Sequence, residues 1–431
     1  MNRNPHPDRA AIAAGQIEQL RSLVAELFPS NKFYARKLQS AGITFDIASL
    51  PDFSARFPFT TKQELVADQL ANPPFGSNLT YPLDRYTRFH QTSGTSGAPL
   101  RWLDTPESWD GMIECWTEIF RAAGVNAGDR VMFAFSFGPF LGFWLAFESA
   151  ARLGCLCLPG GGMSSEARAR MIFDHRATVL CCTPTYAIRL GEVARAAGAK
   201  SEIKTIIVAG EPGGSIPGTR KRIEELWPGA RVFDHHGMTE TGPVTYECPA
   251  QPGVLHVIES AYFAEVIDPA SEKPASSGEL VLTTLGRTGS PLLRYRTGDL
   301  VKCGVRNAEC GTPPCACGRN EMTLEGGILG RADDMVIVRG VNVYPSAVEE
   351  IIRGFGEIVE YRVQVAQKNS LAELRLEIEP AKEVQNLADL LARVGGAFET
   401  AFSLRVPVSA VAPGTLPRFE LKAQRWTKTS R

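Results

Sequence analysis

The chain has 431 residues, a length that suggests about two or three domains. Hydrophobic residues make up 44% and charged residues 22% of the sequence, which is typical of a folded globular protein and excludes a disordered or fibrous chain. Lys and Arg number 46 against 47 Asp and Glu, so there is no basic excess of the kind that favours nucleic acid, and we expect no nucleic-acid partner.

The N-terminal stretch MNRNPHPDRAAIAAGQIEQL lacks the apolar core and the small-residue cleavage site of a secretory signal. The apolar stretch at 131–147 is interrupted by Ser136, Gly138 and Pro139, and it is shorter than the ~20 residues that a membrane helix needs. We therefore expect a cytoplasmic protein with no membrane partner.

The first predicted elements are helices, because apolar residues between 9 and 42 recur at helical spacing. Short apolar runs then alternate with helical stretches, and each run ends in Gly, Pro or polar residues. The predicted strands lie at 130–137, 155–161, 178–184, 205–212 and 230–237. Alternating strands and helices indicate parallel βαβ units, whose ligands collect at the carboxyl ends of the strands.

The rest of the chain changes character twice. Short strands and turns between about 254 and 301 predict a β-rich subdomain, and the residues after about 333 predict a compact α+β unit. The expected fold class is α/β, with a large N-terminal domain (1–332) that contains parallel βαβ sheets and the β-rich subdomain. A small mobile C-terminal α+β domain (333–431) completes the prediction.

The stretch HQTSGTSGAPLRW, 90–102, resembles a loop that binds an anion through backbone N–H groups and hydroxyls. Its small and hydroxylated residues are Ser93, Gly94, Thr95, Ser96 and Gly97. A Walker loop is excluded, because the G-x-x-x-x-G-K spacing is absent. The residues alone leave a plain surface turn open as the alternative.

Four further stretches carry polar groups suited to a nucleotide. FDHHGMTETGP places Asp234, Thr239 and Glu240 after an apolar run, where a hydroxyl and carboxylates suit phosphate and Mg²⁺, although a solvated loop acid is the alternative for Glu240. LLRYRTGDLV contains Asp299, which could accept hydrogen bonds from a sugar diol. The other two stretches are GRADDMVIVRGVNVYPSAVEE, with Arg331, and PRFELKAQRW, with Lys422.

In this order, the motifs resemble the phenylacetate–coenzyme A ligase family of the adenylate-forming superfamily. The resemblance runs from NKFYARKLQSAGI and FPFTTKQEL through GEP, HGMTE, YRTGDL and GRADDMVIVRGVNVYPSAVEE to PRFELKAQR, nearly the whole chain. It implies an enzyme that uses ATP and Mg²⁺ to convert a carboxylic acid into an acyl-adenylate and pyrophosphate. The acyl group then usually passes to the thiol of coenzyme A.

The resemblance also implies roles for individual residues. The nucleotide-binding positions are Ser93 to Gly97 for the β- and γ-phosphates, Gly210, Glu211 and Pro212 for the adenine pocket, Asp234, His235, His236, Gly237 and Met238 beside the adenine, and Asp299 with Arg331 for the ribose. Thr239 would touch the α-phosphate, Glu240 would ligate Mg²⁺ and Lys422 would bridge the carboxylate and the α-phosphate. A hinge is implied at Asp333, and Gly340 would face the pantetheine tunnel.

This chain departs from the family pattern at two positions. His236 stands where an aromatic ring usually stacks on adenine, and we expect weaker stacking from an imidazole. Ala98 stands where the phosphate loop usually has Lys or Arg, which removes a positive charge from the pyrophosphate end of ATP, and Arg101 is a candidate substitute.

The acid pocket is predicted from FAFSFGPFLGF, LPGGG and the residues after GEP. Phe135, Phe137 and Phe140, together with Gly138 and Phe143, offer an apolar aromatic wall that suits an aryl or arylacetic acid. Ordinary core packing is the alternative for each of these phenylalanines.

A cysteine and histidine set predicts a metal site. Cys248, His256, Cys315 and Cys317 make up the Cys₃His donor set that is common in structural zinc sites, and four protein ligands leave no open position for catalysis. The alternatives are free thiols, or a site in which Cys303 or Cys310 replaces one of these ligands.

Three functions remain open from the sequence. The first is an ATP-dependent aryl-acid coenzyme A ligase, and the second is an adenylating enzyme that passes the acyl group to a carrier protein or an amine. The third is an inactive nucleotide-binding relative, which Thr239, Glu240, Asp299, Arg331 and Lys422 argue against. A homodimer would be compatible with the family.

Overall fold

The structure is a computed structural model that describes residues 6–44, 46–92, 99–198, 200–304, 315–338, 341–368, 371–419 and 423–429. These residues divide into two compact units, one made of Met1–Gly162 and Phe233–Ile328 and the other of Met163–Val232 and Leu329–Arg431. Among the described helices, none is both long and apolar enough to cross a membrane.

Four helices come first and a pair of strands follows; helices and strands then alternate as far as Asp234, and strands predominate after it. The helices are α1 Arg9–Ser30, α2 Lys32–Ser40, α3 Leu50–Arg56, α4 Lys62–Ala71, α5 Pro106–Ala122, α6 Leu141–Leu153, α7 Ser165–Asp174, α8 Pro184–Ala196, α9 Pro217–Leu226, α10 Pro345–Arg353 and α11 Leu387–Phe402. The first eleven strands are β1 Arg88–Gln91, β2 Arg101–Asp104, β3 Arg130–Phe133, β4 Leu156–Pro159, β5 Val179–Cys182, β6 Thr205–Val208, β7 Arg231–Asp234, β8 Gly237–Met238, β9 Gly242–Pro243, β10 Thr245–Cys248 and β11 Gln251–Val257. The others are β12 Tyr262–Ile267, β13 Ser277–Thr284, β14 Tyr295–Lys302, β15 Thr323–Glu325, β16 Gly330–Arg331, β17 Val336–Val338, β18 Val341–Val343, β19 Ile358–Lys368, β20 Leu371–Pro380, β21 Val408–Ala410 and β22 Trp426–Thr429.

The first unit combines helices with parallel and antiparallel strands. β3 pairs in parallel with β4, and α6 provides the crossover between them. β12, β13 and β14 pair antiparallel in chain order, and so do β10, β11 and β15. Apolar side chains of α1 to α3 form one buried core together with residues from the stretch between β13 and β14, such as Leu292 and Leu293. Segments more than 200 residues apart in sequence are thereby joined.

The second unit contains a parallel strand pair and an α+β assembly. β5 pairs in parallel with β6, with α8 as the crossover, and α7 and α9 lie beside α8. β19 and β20 form a long antiparallel pair, flanked by β22 and β21 in parallel. The residues of β17 to β20, α10 and α11 bury a core of their own that includes Val348, Tyr361 and Phe398.

The predicted α/β class is confirmed, and so are the strands predicted between 130 and 237, each of which the structure ends earlier than predicted. The second unit contains the predicted C-terminal domain, 333–431, and also takes in 163–232, which the sequence pattern assigned to the large domain. The boundary near Asp333 and the mobility of the small domain stay predictions.

Candidate active site

The Thr239 and Glu240 pair lies in a tight turn between two very short strands. β8 pairs antiparallel with β9, with Gly237 opposite Pro243 and Met238 opposite Gly242. A Cβ atom on Gly237 would lie 2.7 Å from the carbonyl oxygen of Gly242, and Gly242 itself has a φ of +92°. Both glycines are therefore required for the strands to approach so closely.

A buried arginine, Arg287, holds the backbone of this turn. Arg287 donates from one Nη to the carbonyl oxygens of Thr239 and Glu240, each at 2.8 Å. Its other nitrogens form two hydrogen bonds of 2.6 and 2.7 Å with the carboxylate of Asp104. The side chains of Arg287 and Asp104 are 2% and 0% exposed, so this is a fully desolvated ion pair that fixes the backbone of both predicted catalytic residues. Tyr262 adds a hydrogen bond of 2.9 Å from its hydroxyl to the carbonyl of Thr241.

The Glu240 carboxylate faces a lysine. Nζ of Lys62 lies 3.3 Å from Oε1 of Glu240, whose side chain is only 6% exposed. Lys62 is the first residue of α4, where Thr61 and Glu64 form a reciprocal capping box that fixes the start of the helix. A carboxylate of this kind, at the edge of the turn, is the ligand type used by a Mg²⁺ ion that is held chiefly by one carboxylate and by substrate phosphates.

Two of the residues predicted beside adenine and ribose, His236 and Asp299, lie close together. Nε2 of His236 lies 3.1 Å from Oδ2 of Asp299, and the Asp299 carboxylate is 4% exposed. Asp234 ends β7, and its backbone N–H donates to Glu247 at 2.9 Å. His235 is buried with its ring 4.5 Å from that of Trp116, and burial lowers the pKa of His235 to about 3. His235 is therefore a neutral packing residue, whereas His236 is half-buried.

Within the second unit, the GEP motif connects two distant segments. Glu211 accepts hydrogen bonds from the backbone N–H of Thr185, at 2.8 Å, and of Ala423, at 2.9 Å. Thr185 lies in the first turn of α8, so the carboxylate also complements the positive end of that helix. Gly210 takes a φ of +92°, which turns the chain sharply after β6, and Pro212 follows Glu211.

Arg331 and Asp333 pair with each other. Nε and Nη2 of Arg331 lie 2.9 and 3.1 Å from the two carboxylate oxygens of Asp333. The two side chains are 36% and 62% exposed, so this pair makes only a small contribution to stability and is easily exchanged for another partner.

The phenylalanines of the predicted acid pocket form one aromatic cluster in the loop after β3 and in α6. Phe135 stacks on Phe143 with ring centroids 4.1 Å apart, and Phe137 lies 5.5 Å from Phe135. Phe140 meets Phe143 at 5.9 Å, and Trp144 donates from Nε1 to the carbonyl of Gly138 at 2.9 Å. Phe135 is buried, whereas Phe137, Gly138 and Phe140 are half-buried, so the cluster has an inner and an open side.

The predicted zinc ligands come together in the β-rich part of the first unit. One ligand atom from each of Cys248, His256, Cys315 and Cys317 lies within 4.8 Å of all the others. The Cys248 and Cys315 sulfurs are 3.6 Å apart, and the Cys317 sulfur is 3.4 Å from Nε2 of His256. A tetrahedron with zinc–sulfur bonds of 2.3 Å has edges of about 3.8 Å, so the donor set fits this metal in both chemistry and spacing.

Several predicted residues lie outside the described residues. These are the loop Ser93 to Gly97 with Ala98, the coenzyme A position Gly340, the lysine Lys422 and the alternative ligand Cys310. Cys303 is described and is not a member of the four-residue cluster.

The sequence pattern did not identify Asp104, Arg287 or Lys62. Asp104 ends β2 and Arg287 follows β13, and 183 residues separate them, so neither carries a local motif. A signal was available for Lys62, since TTKQE ends with the T-x-x-E of a capping box and thereby places Lys62 at the start of a helix.

Comparison with known proteins identifies the family of this chain. The family model described as AMP-binding enzyme matches residues 92–284, and the model for the AMP-binding enzyme C-terminal domain matches 340–429. A phenylacetate–coenzyme A ligase from Thermus thermophilus is 32% identical, over 96% of this chain and 95% of the relative.

Solved structures of a 2-hydroxyisobutyryl-CoA ligase are similar as well. One, in the postadenylation state with R3-HIB-AMP, has 28% identity and a TM-score of 0.91, and covers 99% of this chain and 91% of its own. Another, with 2-HIB-AMP and CoA in the thioesterification state, has 29% identity and a TM-score of 0.73 over the same shares. The chain thus belongs to the phenylacetate–coenzyme A ligase family of AMP-forming acid–thiol ligases, which use ATP and coenzyme A.

Proposed function

We propose that the protein activates an aromatic acid, either an aryl or an arylacetic acid, and transfers the acyl group to coenzyme A. In the first step a carboxylate oxygen attacks the α-phosphorus of ATP and pyrophosphate leaves. In the second step the sulfur of coenzyme A attacks the acyl carbon, AMP leaves and the thiol proton is lost to solvent. The acyl group is thereby carried through an acyl-adenylate.

The observation that carries the choice of an aromatic acid is the packing around Phe135. Its ring stacks on Phe143 and contacts Phe137, while Phe137 and Phe140 keep part of their surface open. Aromatic rings prefer offset or edge-to-face neighbours, so a substrate ring would add one more member to this cluster. The loop that carries these residues follows the carboxyl end of β3, where parallel sheets bind their ligands.

The turn between β8 and β9 supports the nucleotide chemistry. Arg287 holds both carbonyl oxygens, so the backbone that carries the Thr239 hydroxyl and the Glu240 carboxylate is fixed. Fixed donors aimed at a developing phosphate charge need no reorganisation during the reaction. Mg²⁺ bound at Glu240 would neutralise the charge of the leaving pyrophosphate, and Asp299 would accept hydrogen bonds from the ribose hydroxyls.

The remaining roles rest on the family resemblance. Lys422 would bridge the carboxylate and the α-phosphate, Asp333 would act as the hinge and Gly340 would face the pantetheine arm. Zinc at Cys248, His256, Cys315 and Cys317 would be structural, since four protein ligands complete its coordination. It would tie β10 and β11 to the segment around Cys315.

The test is an assay of the purified protein with ATP, Mg²⁺ and a panel of acids. The panel contains phenylacetate, benzoate, a short aliphatic acid and 2-hydroxyisobutyrate, and AMP and pyrophosphate are measured with and without coenzyme A. We expect the aromatic acids to give the highest kcat/KM and the AMP release to depend on coenzyme A. Preference for 2-hydroxyisobutyrate would contradict the aromatic substrate. AMP release that ignores coenzyme A would contradict the thiol acceptor and favour a carrier protein or an amine.

A further inference from the structure

A lysine outside the phosphate loop faces the predicted metal ligand. The ammonium of Lys62 lies 3.3 Å from the Glu240 carboxylate, and the lysine side chain is 38% exposed. The capping box of Thr61 and Glu64 fixes its backbone, and the hydrogen bonds from Arg287 fix that of Glu240. The backbone is therefore held on both sides of the contact, and the Lys62 ammonium is positioned beside the turn that carries Glu240.

Among the ion pairs of the described residues, the Glu240 carboxylate pairs with Lys62 and with no other cation. The guanidinium of Arg287 contacts Glu240 only through its carbonyl oxygen, and its charge is neutralised by the bidentate contact with Asp104. A carboxylate that is 6% exposed needs a cation, because an unpaired buried charge is costly.

Metal binding would change what Lys62 can bind. Glu240 would hold Mg²⁺ through its carboxylate, and the ion would be shared with substrate phosphates, as protein-bound Mg²⁺ usually is. The ammonium of Lys62, a compact charge with three donors, would then be available to donate to phosphate oxygens.

The sequence supplies the reason why a cation is needed there. Ala98 occupies the position where related loops carry Lys or Arg, so the loop itself brings no charge to the β- and γ-phosphates. Arg101 is the nearest alternative in sequence, but its guanidinium donates to the carbonyl of Pro74 at 2.8 Å, and Gln69 contacts its backbone N–H at 3.0 Å. Arg101 thus serves a structural contact between β2 and the segment after α4.

We propose that Lys62 binds the pyrophosphate end of ATP and replaces the loop cation that Ala98 does not provide. This inference rests on the proposed adenylation function. It assigns a nucleotide-binding role to a residue of the first unit's helical region, outside the phosphate loop.

The experiment compares ATP with AMP, because AMP lacks the two phosphates that Lys62 would bind. Binding of each nucleotide with Mg²⁺ is measured by calorimetry for wild type, Lys62→Ala and Lys62→Arg. A hydrogen bond to a charged group corresponds to about a 10- to 100-fold change in affinity, so Lys62→Ala should weaken ATP binding by that factor and AMP binding by less than about 2-fold. Lys62→Arg should retain most of the ATP affinity.

Two controls and one rescue make the test specific. Lys37→Ala removes a different lysine that pairs with Glu64 of the same helix, and Arg101→Ala removes the alternative cation. Both should leave the ratio of ATP to AMP affinity unchanged. Adding Ala98→Lys to Lys62→Ala should recover most of the lost ATP affinity, since it restores a cation at the usual loop position.

Kinetics give a second readout. Lys62→Ala should lower kcat/KM for ATP in acid-dependent ATP–pyrophosphate exchange, and it should spare thioester formation from supplied acyl-adenylate, a step without pyrophosphate. Equal losses for ATP and AMP, or no rescue by Ala98→Lys, would overturn the role of Lys62. If the wild-type protein binds ATP but exchanges no pyrophosphate with any acid, the proposed function is overturned. The binding data for ATP and AMP would still test the role of Lys62.

Discussion

Arg287 bridges the carboxylate of Asp104 and the carbonyl oxygens of Thr239 and Glu240 through four hydrogen bonds between 2.6 and 2.8 Å. Its planar guanidinium matches this arrangement, whereas the point charge of a lysine cannot make two parallel contacts to a carboxylate and reach both carbonyls. Arg287 touches no reacting atom, so it is a positioning residue for the turn that carries Thr239 and Glu240.

We expect Arg287→Lys to slow adenylation by about a hundredfold, because small displacements of catalytic groups have effects of this size. Thioester formation from supplied acyl-adenylate should fall much less if Thr239 and Glu240 act mainly on the phosphates. The measurement is the ratio of the two half-reactions, together with a thermal midpoint that shows the variant is folded.

If the Arg287→Lys variant does not fold, Asp104→Asn is the alternative variant for the same test. It keeps the shape of the side chain and leaves the arginine in place with one charged partner fewer. A variant that stays folded and adenylates at the wild-type rate would argue against positioning through Arg287.

Glu211 links the GEP motif to the segment that follows Lys422. Its carboxylate accepts one hydrogen bond from Thr185 and one from Ala423, the residue after Lys422. The two N–H groups meet different carboxylate oxygens, so Gln at this position would turn its donating NH₂ group towards one of them. We expect Glu211→Gln to lower the rate of adenylation about tenfold, since one charge-assisted hydrogen bond is lost.

The reference for that prediction is Lys422→Ala. This change should nearly abolish adenylate formation and leave thioester formation from supplied acyl-adenylate intact. Glu211→Gln should also slow adenylate formation more than thioester formation, but by a smaller factor. If Glu211→Gln instead raised the KM for ATP and left kcat unchanged, its role would be confined to the adenine pocket.

The sequence predicted the strand positions well, because strands depend on local patterns of apolar residues and turn residues. The runs that became β3 to β7 show continuous apolar stretches ending in Gly, Pro or polar residues, and HGMTE places Thr239 and Glu240 directly after such a run. The turn itself needs Gly237 and Gly242, and both lie in the longer stretch FDHHGMTETGP.

The contacts that position those motifs could not be predicted in the same way. Arg287 meets Asp104 across 183 residues, and Glu211 meets Ala423 across 212. Neither pair has a spacing that periodicity can reveal. The grouping of 163–232 with 329–431 likewise depends on long-range packing, such as the hydrogen bond of 3.0 Å from the Gly218 N–H to Glu350.

Zinc content is the direct measurement for the Cys₃His cluster. We expect about one zinc per chain in wild type and well under one in Cys317→Ser, because loss of one thiolate from four ligands weakens a tetrahedral site strongly. Structural zinc can contribute on the order of 10 kcal/mol that is linked to folding, so the variant should also unfold at a lower temperature.

Cys303→Ser is the matched control, since Cys303 lies in the same region but outside the cluster and donates to the carbonyl of Gly304 at 3.0 Å. It should keep both its zinc and its thermal midpoint. Zinc lost equally from both variants would mean that the ligand set is different, and a wild type without zinc would leave only free thiols.

A buried charge cluster in the second unit predicts a pH-dependent stability. Glu349 lies 2.7 Å from Arg353 and 3.5 Å from Arg425, and its side chain is 12% exposed. Burial by itself would raise its pKa, but the charges of Arg353 and Arg425 and the hydrogen bond from Tyr361 outweigh it and lower the pKa of Glu349 from 4.5 to about 2. Glu360 completes the cluster with contacts of 2.6 and 3.1 Å to Arg425.

Proton linkage gives the direction in which the stability changes with pH. A carboxyl with a lowered pKa in the folded state stabilises the fold above its unfolded pKa, and this stabilisation disappears as pH falls from about 4.5 towards 2. The shift corresponds to about 3 kcal/mol above pH ~5 and roughly half of that at pH ~3. We therefore expect Glu349→Gln to destabilise this unit at neutral pH and the difference from wild type to shrink by roughly half by pH ~3.

Urea unfolding at several pH values measures this difference, and hydrogen exchange of peptides from β19 and β20 assigns it to the second unit. Lys and Arg remain charged throughout this range, so the change with pH reports on Glu349 and the acids coupled to it. Arg393→Gln provides a matched control, because Arg393 pairs with Glu357 at an exposed position of the same unit. A surface pair of this kind contributes under about 1 kcal/mol, so the control should show a small and nearly constant difference, and a constant difference for Glu349→Gln would contradict its lowered pKa.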